Sequence, residues 1–236
     1  MAKKSAFAKA VSHARIRLDR RPVAHFLHVG KAAGTALKYA LTDVERSSRY
    51  RLILHTHFTR LDAVPEDDFF FFCVRDPISR FLSGFLSRQR EGRPRYVIPW
   101  REDEKTAFSR FDSADGLAVA LSAGGRRQQE AEDAMGAIRH VRDSYWTWFK
   151  DPHYFRQRSD HVLWVGRQES LDVESLSSSL GVKALHLPDD PVVAHLNTEE
   201  KPALSDLARE NLRNWYAKDY EFLELCAELF GPEYSP

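Results

Sequence analysis

Cysteine is scarce: Cys73 and Cys226 are the two in 236 residues, too few and too far apart for a disulfide framework or a cysteine-rich metal site. Cys73 lies in a run of phenylalanines, where a thiol acts as a small hydrophobe. No stretch reaches the roughly 18 consecutive apolar residues of a membrane span, and the N-terminus lacks the apolar centre of a signal peptide. The chain is therefore expected to be cytoplasmic, or a soluble domain of something longer. Charge of one sign is missing too. Lys and Arg total 35 against 34 Asp and Glu, a net charge of +1, so there is no global basic field for nucleic acid. Internal repeats and low-complexity segments are absent.

Hydrophobic residues at 43% and charged residues at 29% describe an ordinary soluble globular protein. The length fits one α/β domain. We divide the chain into a basic N-terminal segment, 1–21, and a single domain, 22–236, with an irregular insertion around 91–125. The basic segment carries Lys3, Lys4, Lys9, Arg15, Arg17, Arg20 and Arg21. The last stretch, from Asp219, carries Glu221, Glu224, Glu228 and Glu233 and no basic residue. A solvated tail and a solvated helix face account for both.

Val23 to Val29 reads as a strand, broken by Gly30 before Leu37, Ala40, Leu41 and Val44 appear at helical spacing. Arg51 to His57 is a second strand and Phe69 to Val74 a third. The third does not alternate, so both its faces should be covered, as in the centre of a parallel sheet. Asp76-Pro77 caps a helix whose apolar stripe is Ile78, Phe81, Leu82, Phe85 and Leu86. From Glu91 to Ser122 the period weakens, and a long loop with short helical pieces is expected. Gln128 to Lys150 reads as one long helix, Val162 to Val165 as a strand, and Leu171 to Leu180 as a helix ended by Gly181. Ala203 to Phe230 reads as one broken helix or two. Strands alternating with helices predict a three-layer α/β sandwich with a mostly parallel central sheet and a P-loop-like strand-turn-helix.

In His28-Val29-Gly30-Lys31-Ala32-Ala33-Gly34-Thr35, small residues let backbone approach a ligand, and the following helix start offers N–H groups to an anion. Tight strand-helix packing is the plainer explanation of Gly30 and Gly34. The lysine precedes Gly34-Thr35 instead of following the second glycine, so this is not the nucleotide-triphosphate loop. Arg75 closes the phenylalanine strand at the carboxyl end, where open α/β sheets bind ligands, and Ser83 lies off the apolar stripe of the next helix. Both can converge on one anion.

These two segments resemble the sulfotransferases that use PAPS (3′-phosphoadenosine 5′-phosphosulfate), particularly the carbohydrate-modifying branch and its bacterial relatives. Gly30 to Thr35 is similar to the family's 5′-phosphosulfate loop. Arg75-Asp76-Pro77 with Leu82-Ser83-Gly84-Phe85 is similar to its 3′-phosphate motif. Val165 to Leu171 and Trp215 to Tyr220 resemble two further segments, whereas Glu91 to Arg139 matches no part of the family. The resemblance implies a sulfuryl transfer from PAPS to a hydroxyl acceptor, a carbohydrate or glycolipid, leaving PAP (adenosine 3′,5′-bisphosphate), with no metal. It places Gly30, Lys31, Ala33, Gly34, Thr35 and Ala36 around the 5′-phosphosulfate, Lys31 on the leaving phosphate, and Arg75 and Ser83 on the 3′-phosphate.

Transfer to a hydroxyl needs a base, and His55 and His57 are two apart, on one face if extended. Thr56-His57-Phe58 is closer to the family's histidine position. A surface role remains open for both. Arg167 either reaches the nucleotide or pairs with Glu169. His195-Leu196-Asn197 resembles a loop that closes over the donor, or is a turn before the next helix. Arg88, Arg90, Arg93, Arg95 and Arg101 form a solvated face or a groove for an anionic glycan, with Tyr96 and Trp100 stacking on sugar rings or anchoring the loop. The competing functions are an ATP-dependent phosphotransferase of P-loop type and a catalytically silent nucleotide- or glycan-binding module.

Overall fold

Four short strands carry the architecture of the computed structural model, which describes residues 19–94, 96–188 and 202–234. They are β1 (Val23–Leu27), β2 (Arg51–Leu54), β3 (Phe69–Val74) and β4 (Val162–Arg167), all parallel, in the order β2-β1-β3-β4. Helices cover the sheet, giving the expected α/β sandwich. β1 leads through α1 (Gly34–Val44) to β2 on one side, and the chain then crosses to β3 on the other. A crevice therefore opens between the carboxyl ends of β1 and β3, the switch point where sheets of this kind hold ligands.

The phenylalanine run is buried on both faces as predicted. Phe70, Phe71 and Phe72 are wholly inaccessible, with Phe71 against Phe26 (ring centroids 5.3 Å) and Phe72 against Phe149 (4.5 Å), Phe155 (5.9 Å) and Phe222 (6.1 Å). β3 then turns directly into α2 (Pro77–Gln89), whose N-cap Asp76 accepts the Ser79 N–H at 2.7 Å.

A second apolar cluster sits away from the sheet. It joins α2 to α3 (Glu102–Arg110), α4 (Ala114–Ala120), α5 (Gly125–Ala137) and α9 (Asp206–Trp215). The short helical pieces expected in the 91–122 stretch are thus α3 and α4, and they supply part of a core. The single long helix expected over Gln128 to Lys150 is not formed. α5 stops at Ala137, His140 turns at φ +71°, and only Trp146–Phe149 (α6) is helical beyond it. Tertiary bonds override propensity there: Asp219 accepts the Tyr145 N–H at 2.9 Å, and Arg80 donates to the Asp143 carbonyl at 2.6 Å. After α7 (Pro152–Gln157) and β4, α8 (Val173–Leu180) ends at Gly181 in the left-handed region, φ +67°. The C-terminal helices are α9 and α10 (Ala217–Phe230), two rather than one.

β2 is shorter than predicted. His55 still pairs with the sheet, its N–H donating to the Phe26 carbonyl at 3.1 Å, and the chain then leaves the plane. His55 and His57 consequently do not share a face.

Candidate active site

The carboxyl ends of all four strands open onto one cavity of about 600 Å³. Strand spacing of about 4.8 Å sets its span at roughly 14 Å, from the end of β2 to the end of β4. Gly30, Lys31, Ala33, Gly34, Thr35, Ala36, His57, Arg75 and Ser83, all singled out in the sequence, line it together. Arg167 does not. At the end of β4 its guanidinium donates to the Glu233 carbonyl at 3.1 Å and lies 3.6 Å from Glu169, the ion-pair alternative.

The turn after β1 reverses the chain on non-glycine residues. The left-handed residues are Lys31 (φ 67°) and Ala33 (φ 58°), not Gly30 or Gly34. Consecutive amides in such a turn form an anion-holding concavity. Ala33 is also the N-cap of α1 and offers no side-chain acceptor, so the first N–H groups of that helix face the turn unblocked. Gly34 is required for space: a Cβ there would stand 1.9 Å from Cδ2 of His28, whose ring lies over it.

Burial, reinforced by the nearby Arg75, Arg90 and Arg88, pushes the Lys31 ammonium down to about 8. Arg75 is buried beside it and donates to the Lys31 carbonyl at 3.1 Å, while its Nε has no hydrogen-bond partner. Burial lowers the Arg75 guanidinium, and Glu169, 3.9 Å away, opposes that shift. The Tyr145 hydroxyl fixes the Arg75 backbone, accepting its N–H at 2.8 Å and donating to its carbonyl at 2.5 Å.

His57, beyond the end of β2, also lines the cavity, with Nε2 buried and unpartnered. Burial, with Arg139 and Lys38 nearby, lowers its imidazole below the usual histidine range against the pull of Asp143. The backbone of His57 is held by the Trp148 indole, which donates to its carbonyl at 2.9 Å. His55 goes elsewhere: its Nε2 is 2.7 Å from Nδ1 of the buried His25, whose Nε2 is 3.0 Å from Asp68.

His140 is the residue that sequence reasoning missed. Its ring lines the cavity 5.7 Å from that of His57, and burial beside Lys31 and His57 holds its imidazole far below the usual range. Gly84 makes room for it: a Cβ there would lie 3.2 Å from the His140 backbone. Placed inside a predicted helix, His140 carried no local signal of this role.

The arginine cluster is dispersed. Arg88 is buried and bidentate to Glu104 at 2.8 Å, which removes it from any solvated face or groove. Arg93 pairs with Glu91 at 3.3 Å and Arg101 with Asp103 at 2.8 Å. Trp100 anchors the loop, its indole donating to the Arg88 carbonyl at 2.6 Å, whereas Tyr96 lines the cavity. Arg95, the loop His195-Leu196-Asn197 and the basic residues before Asp19 lie outside the described residues.

Lys31, Arg75 and Arg139 line the cavity, and no carboxylate is among its described lining residues. Fold and site together define an α/β protein with an anion-complementary cavity at the switch point of its sheet. The chain belongs to the sulfotransferase family, whose profile matches residues 14–225. Membership places it among the enzymes that transfer sulfate. No curated protein and no solved structure matches the chain significantly. Among the described residues no helix is long and apolar enough to cross a membrane, and no three His, Cys, Asp or Glu side chains are grouped to hold a metal.

Proposed function

We propose that the protein moves a sulfuryl group from PAPS to a hydroxyl acceptor. The observation that carries this is the pairing of two cationic residues, half-buried Lys31 and buried Arg75, at adjacent strand ends and joined through the Lys31 carbonyl, with an unpartnered imidazole lining the same cavity. Two cationic positions suit a donor carrying two separate phosphates, and the orphaned Nε of Arg75 is the kind of buried group that a ligand satisfies.

PAPS supplies an already activated sulfuryl group, so the protein's task is positioning and charge stabilisation. The amides at Ala33, Gly34, Thr35 and Ala36 hold the 5′-phosphate, with the Thr35 hydroxyl adding a donor. Arg75 and Ser83 hold the 3′-phosphate. Lys31 stabilises negative charge gathering on the leaving phosphate oxygen as the S–O bond to it breaks. His57, kept neutral by its burial, accepts the acceptor's hydroxyl proton as the new O–S bond forms. His140, neutral for the same reason, adds a hydrogen-bonding group beside both.

Equilibrium binding of PAP, ADP and ATP, followed by transfer of labelled sulfate from PAPS, tests this. PAP should bind most tightly and without magnesium. Lys31→Ala and His57→Ala should each cut transfer by about 10²–10⁴-fold. His57→Ala should leave PAP affinity intact. Preference for ATP would sink the proposal in favour of a phosphotransferase. Tight PAP binding with no transfer to any acceptor would leave a silent nucleotide-binding module.

A further inference from the structure

The cavity that His57 lines carries exposed apolar side chains at its rim. Tyr96 and Ile98 line the cavity and are 37% and 38% exposed, Val97 between them is 58% exposed, and Phe58 is 75% exposed with its ring centroid 4.1 Å from that of His57. Phe26, Phe70, Phe85, Phe149 and Phe222 are by contrast wholly buried. Large apolar side chains gathered at the mouth of a cavity mark a surface that something else covers.

The platform is also held rigidly outward. Arg88, buried beneath it, donates to the carbonyls of Ile98 (3.1 Å) and Pro99 (3.4 Å) while locked onto Glu104. The Ile98 N–H donates to the Glu91 carbonyl at 2.8 Å. The Tyr96 ring lies over Gly92 so closely that a Cβ there would be 2.1 Å from it. A buried ion pair is a costly way to shape a loop, and the loop it shapes places Tyr96 and Ile98 on the cavity that His57 also lines. Gln168, the one carboxamide among the described lining residues, follows β4, at the opposite end of the sheet from His57.

We infer that the acceptor is an alcohol with an apolar body, aryl or long-chain alkyl, which rests on Phe58, Tyr96, Val97 and Ile98 while its hydroxyl reaches His57. This narrows the expected carbohydrate class to acceptors with an apolar portion, and it rests on the sulfuryl-transfer reading of the same cavity. The orienting surface is non-directional, so specificity comes from covered area and from the reach between rim and imidazole.

The test is calorimetric titration of the PAP-saturated protein with 2-naphthol, 1-octanol and glucose, repeated for Phe58→Ser and Ile98→Ser. At least one of the two apolar alcohols should bind about tenfold or more tighter than glucose, and which one does so distinguishes an aryl from an alkyl acceptor. Each substitution should weaken that binding by about tenfold, the scale of one lost apolar contact, while PAP affinity stays unchanged. Glucose binding as well as both alcohols, or unaltered affinity in both variants, overturns the inference and leaves sulfuryl transfer standing. Failure of the unmodified protein to bind PAP overturns that reading instead, and this one with it.

Discussion

Replacing Tyr145 by Phe deletes one oxygen and keeps the ring, which stacks on Phe222 at 4.9 Å. That oxygen satisfies both backbone groups of Arg75, accepting from the N–H at 2.8 Å and donating to the carbonyl at 2.5 Å. Both bonds are buried. At about 1–3 kcal/mol for each abandoned group, offset by relaxation, the loss should be about 2–4 kcal/mol. For a domain of this size each kcal/mol lowers Tm by about 2–4 °C, so a fall of about 4–16 °C is expected. The functional consequence follows from where Arg75 sits. Its backbone aims the guanidinium from the end of β3 toward the Lys31 carbonyl, and an unpinned peptide there should weaken PAP binding about tenfold. Thermal unfolding and PAP titration on the same preparation give both readouts. An unchanged Tm would refute the energetic reasoning. A lowered Tm with unchanged PAP affinity would reduce Tyr145 to a structural part and refute its positioning role.

PAP affinity should depend on pH through Lys31. Below about pH 8 the ammonium is already charged; above it, binding an anion must restore the proton that burial disfavours. With the ligand's phosphates fully ionised above pH ~7, affinity should fall by up to about tenfold per pH unit beyond pH 8, with proton uptake measurable in buffers of different ionisation enthalpy. Flat affinity from pH 7 to 9.5 would refute this. The same Lys31 depression destabilises the ligand-free fold near neutral pH, and its own contribution should lessen as pH rises from about 8 toward the unfolded value. Gly34→Ala pushes a Cβ into the His28 ring at 1.9 Å, so stability should drop by about 1–3 kcal/mol and PAP affinity should fall with it. Glu104→Ala strands the buried Arg88 and should cost about 3–5 kcal/mol in chemical denaturation, with the acceptor platform loosened.

Several elements were legible in the residues because their signals are local. A non-alternating phenylalanine run can be stable only when covered on both faces, and Asp76-Pro77 states a helix start within two positions. Gly181 ends α8 because a left-handed turn is cheap for glycine. The turn after β1 was legible in outline: the packing explanation holds for Gly34, which leaves space for the His28 ring, while the left-handed backbone at Lys31 and Ala33 carried no local signal. The 91–122 stretch holds the expected loop and short helices, but that α3 and α4 are buried against α2 and α9 is something weak periodicity does not display.

The sequence by itself determined the strand-to-helix units and the residue types placed at their junctions, since capping, turn conformation and hydrophobic period act over a few residues. Only the tertiary structure decided that His57 and not His55 lines the cavity with Lys31, that His140 joins them, and that Arg88 is buried. Those outcomes depend on strand order and on contacts between distant residues, such as Arg80 with Asp219, 139 positions away, whose energies no local spacing records.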